Sequence, residues 1–148
     1  MRLYNEEEQA VSPAWYSRPV LFVDDIDRTI DFYVNQLGFT ENWRHQEQGK
    51  SLVAQAERQG CVLIFSSQWP DKVGKGLMFI SLTLEAAPDT PGAQIEVALA
   101  QLRAELASKG VSVEDGHWGY RLLIVRDPDG NELYFNYPNE GDDTSSSG

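Results

Sequence analysis

The chain has 148 residues and a formal net charge of −11, from 23 acidic against 12 basic side chains. That length predicts one domain with a real core, and the acidic balance argues against a nucleic-acid partner, which would call for a basic face. The lone cysteine, Cys61, excludes an intramolecular disulfide, no apolar run reaches the roughly 20 residues of a membrane span, and the opening residues carry no apolar secretory segment, so the expectation is a cytoplasmic protein without a membrane partner.

Residues 1–15 are polar at first, contain Ser12-Pro13, and read as an N-terminal arm. The first strand is predicted over Arg18–Val23. Asp24 and Asp25 then lead into a helix, in which Ile26, Ile30, Tyr33 and Leu37 recur at helical spacing. Asp25 is the expected N-cap and Gly38 the expected C-cap glycine. Three strands follow at Thr40–His45, Ser51–Ala56 and Gly60–Ser66, with Gly49 and Gly60 in the turns. Residues 67–76 read as a connector. A new strand, Leu77–Leu84, opens the second half. A loop rich in Pro and Gly, residues 86–92, leads to a helix with the apolar stripe Ile95, Leu99, Leu102 and Leu106, ended by Gly110. Val111–Val113 is a short strand candidate. Strands Tyr120–Arg126 and Glu132–Tyr137 flank Asp127-Pro128-Asp129-Gly130-Asn131, which has turn chemistry. Residues 139–148 are acidic and rich in Ser and Gly; they cannot bury apolar surface and read as a disordered tail.

Each half therefore reads β-α-β-β-β. The predicted class is α+β: two βαβββ modules, about 18–66 and 77–138, within a single domain over 16–138. Their curved mixed sheets are expected to enclose a concave cleft.

Two stretches carry a family resemblance. Pro19–Phe39, PVLFVDDIDRTIDFYVNQLGF, looks like the opening of the glyoxalase / bleomycin-resistance / extradiol-dioxygenase superfamily. Trp118–Tyr137, WGYRLLIVRDPDGNELYFNY, resembles its closing hairpin. The resemblance covers roughly 18–138. Neither stretch performs chemistry by itself, and a shared fold does not carry function.

The resemblance implies metal ligands on four strand positions of the concave face, ordinarily His, Gln or Glu. Matched motif by motif, those positions fall at Arg18, near Ile64, near Phe79, and at Tyr134. None is a usual ligand for a divalent ion, and an arginine would repel one. The neighbours Val20, Val62 and Leu63 cannot substitute. No metal and no cofactor are therefore expected. The only histidines, His45 and His117, fall outside these positions and read as surface residues. Glu132 shares a face with Tyr134 by alternation. A cluster of His45, His117 and Glu132 would favour a metal-dependent lyase, isomerase or dioxygenase with non-standard ligands. Nucleophile-elbow, Walker A, Rossmann and zincin signatures are absent, and Cys61 opens an apolar strand as a core thiol.

What replaces the metal positions is aromatic. Alternation sets Arg18, Val20 and Phe22 on one face. With Phe79 and Tyr134 on the same cleft, and Trp43 and Trp118 at its rim, the lining suits a planar ligand held by stacking. Arg18 and Glu132 would be the polar handles. The plainer alternative makes these aromatics core, and then the chain is an interaction domain with no small ligand. In style the chain is most similar to the bleomycin-resistance members. That resemblance implies a homodimer that sequesters an aromatic, cationic compound in clefts shared between subunits, with an exchanged arm marked by Pro13 or Pro19.

Overall fold

The computed structural model describes residues 11–82, 92–119 and 121–137. The tail and the first part of the arm lie outside the described residues, as do the loop after Leu82 and Tyr120. Strand β1 spans Val20–Phe22, shorter than predicted because Pro19 has no N–H to give; its carbonyl still accepts from Ile64 N–H at 3.0 Å. Helix α1 spans Ile26–Asp31. Asp25 caps it as expected, its side chain accepting from Arg28 N–H at 3.2 Å.

The helix does not stay α-helical to Gly38. Residues Phe32–Gln36 form a π turn, in which Leu37 N–H reaches the Phe32 carbonyl at 3.1 Å. The wider turn keeps Ile30, Tyr33 and Leu37 all on the buried side, with Tyr33 fully enclosed. Gly38 then takes a left-handed φ of 78°, and Phe39 N–H closes onto the Tyr33 carbonyl at 2.8 Å.

Strands β2 (Thr40–Glu47), β3 (Lys50–Arg58) and β4 (Cys61–Ser66) follow as two hairpins. Their two-residue loops, Gln48-Gly49 and Gln59-Gly60, have positive φ at both positions (53° and 78°, 49° and 91°). That is the turn whose twist matches paired strands. The connector holds a short 3-10 turn at Pro70–Lys72. Strand β5 is Leu77–Ile80 and helix α2 is Gly92–Ser108. After α2, Gly110 N–H bonds the Ala107 carbonyl and Val111 N–H the Leu106 carbonyl, a Schellman end. Val111 is thereby drawn into the core instead of the sheet, and β6 is Val113–His117 rather than the predicted Val111–Val113. Strands β7 (Arg121–Arg126) and β8 (Glu132–Asn136) complete the chain.

Two four-stranded sheets result, ordered β1-β4-β3-β2 and β5-β8-β7-β6. In each, the first and last strands of the module pair in parallel, Val20 with Ile64 and Phe79 with Tyr134, and the remaining pairs are antiparallel. The two βαβββ modules of the sequence are thus present as an α+β fold.

One apolar cluster takes in the buried faces of both sheets: Leu21, Leu63 and Phe65 from the first, Val125 and Leu133 from the second, with Ile26, Ile30, Tyr33 and Leu106 from the helices. The turn 127–131 locks the modules together. Asn131 is fully buried; its amide donates to the Phe22 carbonyl at 3.1 Å and accepts from Gly76 N–H at 2.7 Å. Arg28 meets Asp129 at 2.7 Å. At the other end of the helices, Arg58 makes two bonds of 2.9 Å to Glu105.

Candidate ligand-binding faces

Strand alternation gives each sheet a second face, turned away from that shared core. On the first sheet this face carries Val20, Phe22, Ile64, Gln55 and Trp43, between the buried Leu21, Leu63, Phe65, Ala54 and Ala56. On the second it carries Leu77, Phe79, Glu132 and Tyr134. Both faces are apolar for exposed surface: Val20 is 43% exposed, Trp43 41%, Leu77 47% and Phe79 39%. Exposed patches of this kind mark interaction surfaces.

The residues singled out from sequence fall into two groups. Phe79, Trp118, Tyr134 and Glu132 come together on the second sheet. The Trp118 ring stands edge-on to Phe79 at 5.7 Å and to Tyr134 at 5.9 Å. The Tyr134 hydroxyl donates to Glu132 at 3.2 Å, and Arg126 also bonds Glu132, at 2.9 Å. Glu132 is therefore already neutralised by an arginine. Partial desolvation and the Glu132 charge push the Tyr134 phenol up, so it is a neutral donor at physiological pH.

Arg18, Phe22 and Trp43 belong to the first sheet. Arg18 donates to Gln55 Oε1 at 2.6 Å and lies over the Tyr16 ring at 5.6 Å. Phe22 is edge-on to Trp69 at 5.9 Å. The Lys72 ammonium sits 4.2 Å from the centre of Trp69 and 5.7 Å from that of Phe22. Sequence reasoning missed Trp69 and Lys72, which it left in the connector. The only signal was Trp-Pro inside an otherwise polar run, whose proline starts the 3-10 turn that folds Trp69 back over Phe22.

Among the described residues no group of three His, Cys, Asp or Glu side chains is placed to hold a metal ion. His45 is on β2 and meets Glu47 at 3.0 Å, His117 ends β6 in the other sheet, and Glu132 is engaged as above. Arg18, Ile64, Phe79 and Tyr134 do all lie on or over the open faces, but a guanidinium, two hydrocarbons and a phenol are not a donor set for a divalent ion. The residues do not fit the metal that the fold implies. Cys61 is half-buried on β4, and burial pushes its thiol up. No described helix is long and apolar enough to cross a membrane.

Comparison with known structures gives the same fold. An antibiotic-binding protein, TnmS3, from a Streptomyces species is 20% identical, with a TM-score of 0.61 over 85% of this chain and 98% of that one. The bleomycin-binding protein of Streptomyces verticillus, complexed with copper(II)-bleomycin, is 22% identical, with a TM-score of 0.60 over 86% and 98%. A lactoylglutathione lyase from Agrobacterium tumefaciens is 16% identical, with a TM-score of 0.59 over 86% and 97%. Binding proteins and an enzyme thus share this architecture. No curated protein matches the sequence. Residues 15–135 match the Glyoxalase/Bleomycin resistance protein/Dioxygenase superfamily, and the chain belongs to that superfamily.

Proposed function

We propose that the protein is a metal-free binding protein that sequesters a small aromatic compound. The observation that carries this reading is that Arg18, Ile64, Phe79 and Tyr134, the positions that the motif resemblance matches to the superfamily's metal ligands, lie on two open aromatic faces and supply no donor set for a divalent ion. What remains is stacking surface and a few fixed hydrogen-bond donors, which hold a planar molecule without changing it. The antibiotic-binding and bleomycin-binding neighbours lend support by analogy of fold.

We propose further that a second copy closes the site. The shared core lies on one side of both sheets, so a ligand stacked on either open face needs a cover. The arm supports an exchange between copies: Trp15 and Tyr16 are large aromatics left 94% and 78% exposed. Arg18, Phe22 and Trp43 of one copy would then face Phe79, Trp118, Glu132 and Tyr134 of the other. An acidic chain draws cations from a distance, but screening over about 8 Å leaves the choice of ligand to the groups at the site.

The test is metal retention. Protein purified without chelators is incubated with Zn, Ni, Mn and Fe(II), desalted and measured by mass spectrometry. The expected result is no retained metal, together with a dimer in sedimentation and thermal stabilisation by some planar aromatic compounds. One retained equivalent per chain would overturn the reading and send the protein to lyase and dioxygenase assays.

A further inference from the structure

Arg18 stands apart from the other arginines of this acidic chain. Arg28, Arg44, Arg58, Arg103, Arg121 and Arg126 each meet a carboxylate. Arg18 is the one described arginine that meets none; its partners are the neutral amide of Gln55 and the ring of Tyr16. In a chain with 23 acids against 12 bases, a guanidinium clear of every described acid is a specific placement.

Lys72 repeats the arrangement at the other end of β1. Its ammonium is held against the faces of Trp69 and Phe22. Ring faces fix the cation without using its N–H donors. Asp71, beside it in sequence, and Asp24, just past the end of β1, are exposed, and neither forms an ion pair with it among the described residues. Arg18 precedes β1 by two residues and Phe22 ends it, a separation of about 13 Å for extended chain. Val20 and its register partner Ile64 form an apolar floor between them.

We propose that the open face of the first sheet selects a planar aromatic anion: an aromatic body lying over Val20 and Ile64 beside the Phe22–Trp69 pair, with a carboxylate, sulfonate or phenolate taken by Arg18 or Lys72. Arg18 offers the planar fork that matches a carboxylate, and Lys72 a point charge. The inference rests on the binding reading above and gives it a ligand charge. The total charge of the chain would suggest the opposite sign; the two local cations decide, because they are the charges in contact with the bound molecule.

The experiment is equilibrium dialysis of the full chain against two planar dyes, the anionic anilinonaphthalene sulfonate and the cationic thioflavin T. Wild type is compared with Arg18→Gln, Lys72→Gln, the double variant, and Lys72→Arg. Urea midpoints show that each variant is folded, and sedimentation gives its oligomeric state. The expected result is that the anionic dye binds more tightly than the cationic one, that the double variant binds it about tenfold less well, and that Lys72→Arg keeps most of the affinity. Tighter binding of thioflavin T by the wild type, or an anionic affinity indifferent to both cations, would overturn the ligand charge and leave the binding reading standing. Dissociation of a dimer in the Arg18 or Lys72 variants, with dye binding per copy unchanged, would overturn it by assigning these cations to a second copy. Binding of neither dye would remove the binding reading and this inference together.

Discussion

The Tyr33 hydroxyl donates to Asp127 Oδ2 at 3.1 Å, joining the π turn of the first module to the turn that closes the second. Asp127 is 5% exposed and accepts three further bonds, from the Asn131 side chain and from the N–H groups of Asp129 and Asn131. Burial pushes its carboxyl up even so, and the same burial pushes the Tyr33 phenol well above its ordinary range. Neither group faces a cleft. Their bond is a staple between modules, and it fixes how the two open faces stand.

Asp127→Ala would leave the Tyr33 hydroxyl, the Asn131 side-chain amide and the N–H groups of Asp129 and Asn131 without this acceptor. At about 1–3 kcal/mol for each buried group left unpaired, the expected loss of stability is about 4 kcal/mol or more. Tyr33→Phe removes one donor of four and keeps the ring contacts with Phe32, Phe39 and Phe65, so its expected cost is about 1 kcal/mol. Urea denaturation of both variants measures this. Similar small losses from each would show that the staple contributes little.

Thr29 offers a gain. It is fully buried on α1, and its Oγ1 is the one buried side-chain oxygen or nitrogen among the described residues that has no hydrogen-bond partner. Valine has nearly the same shape and no hydroxyl to desolvate. Thr29→Val is expected to raise stability by about 1 kcal/mol, seen as a higher urea midpoint with an unchanged slope. A loss of stability would mean that the hydroxyl has a partner.

The fold was legible because its signals are local and repeat. Hydrophobic spacing marked α1 and α2, glycines at 49, 60 and 130 marked the turns, and the opening and closing stretches marked the family. The π turn was not legible: Ile26, Ile30, Tyr33 and Leu37 fit a plain α-helix equally well, and the bond from Tyr33 to Asp127, 94 residues on, leaves no trace in that spacing. Val111 was misassigned for a related reason, since a β-branched residue after a helix glycine suits a strand and a Schellman end alike. At the site, alternation placed Phe79 and Tyr134 together because they pair directly. The packing of Trp69 and Lys72 on Phe22 depends on how the connector folds back, and pairing patterns carry no information about that.

The Arg58–Glu105 pair gives a pH dependence with a definite sign. Its bonds to Arg58 hold the Glu105 carboxyl below its ordinary 4.5. A carboxyl depressed in the folded state adds stability that is present above the unfolded value and is lost as pH falls through the folded one. The difference in stability between wild type and Glu105→Gln is therefore expected to be full near pH 7 and to shrink as pH drops under 4.5. The pair is partly exposed, with side chains 27% and 36% accessible, so solvent screening holds the effect to about 1 kcal/mol or less. Urea midpoints of both proteins across that range measure it. A difference that grows on acidification would contradict the assignment.

Trp118 separates binding from folding. It is 57% exposed and belongs to neither apolar cluster; among the described residues its ring meets Phe79 and Tyr134 edge-on. A residue so placed contributes little to stability, and Trp118→Ala is expected to cost about 1 kcal/mol or less in urea. A planar ligand on the second sheet would meet the same indole. Loss of that stacking surface should weaken binding by about tenfold, in line with the 0.5–1.5 kcal/mol of one aromatic contact plus the area it buries. The two measurements must disagree for Trp118 to be a binding residue: a large fall in affinity for the planar compound that best stabilises the wild type, with a small fall in urea midpoint. Unchanged affinity would remove Trp118 from the site. A large loss of stability would make it part of the packing, and the aromatic cluster of the second sheet would then be a core surface rather than a platform for a ligand.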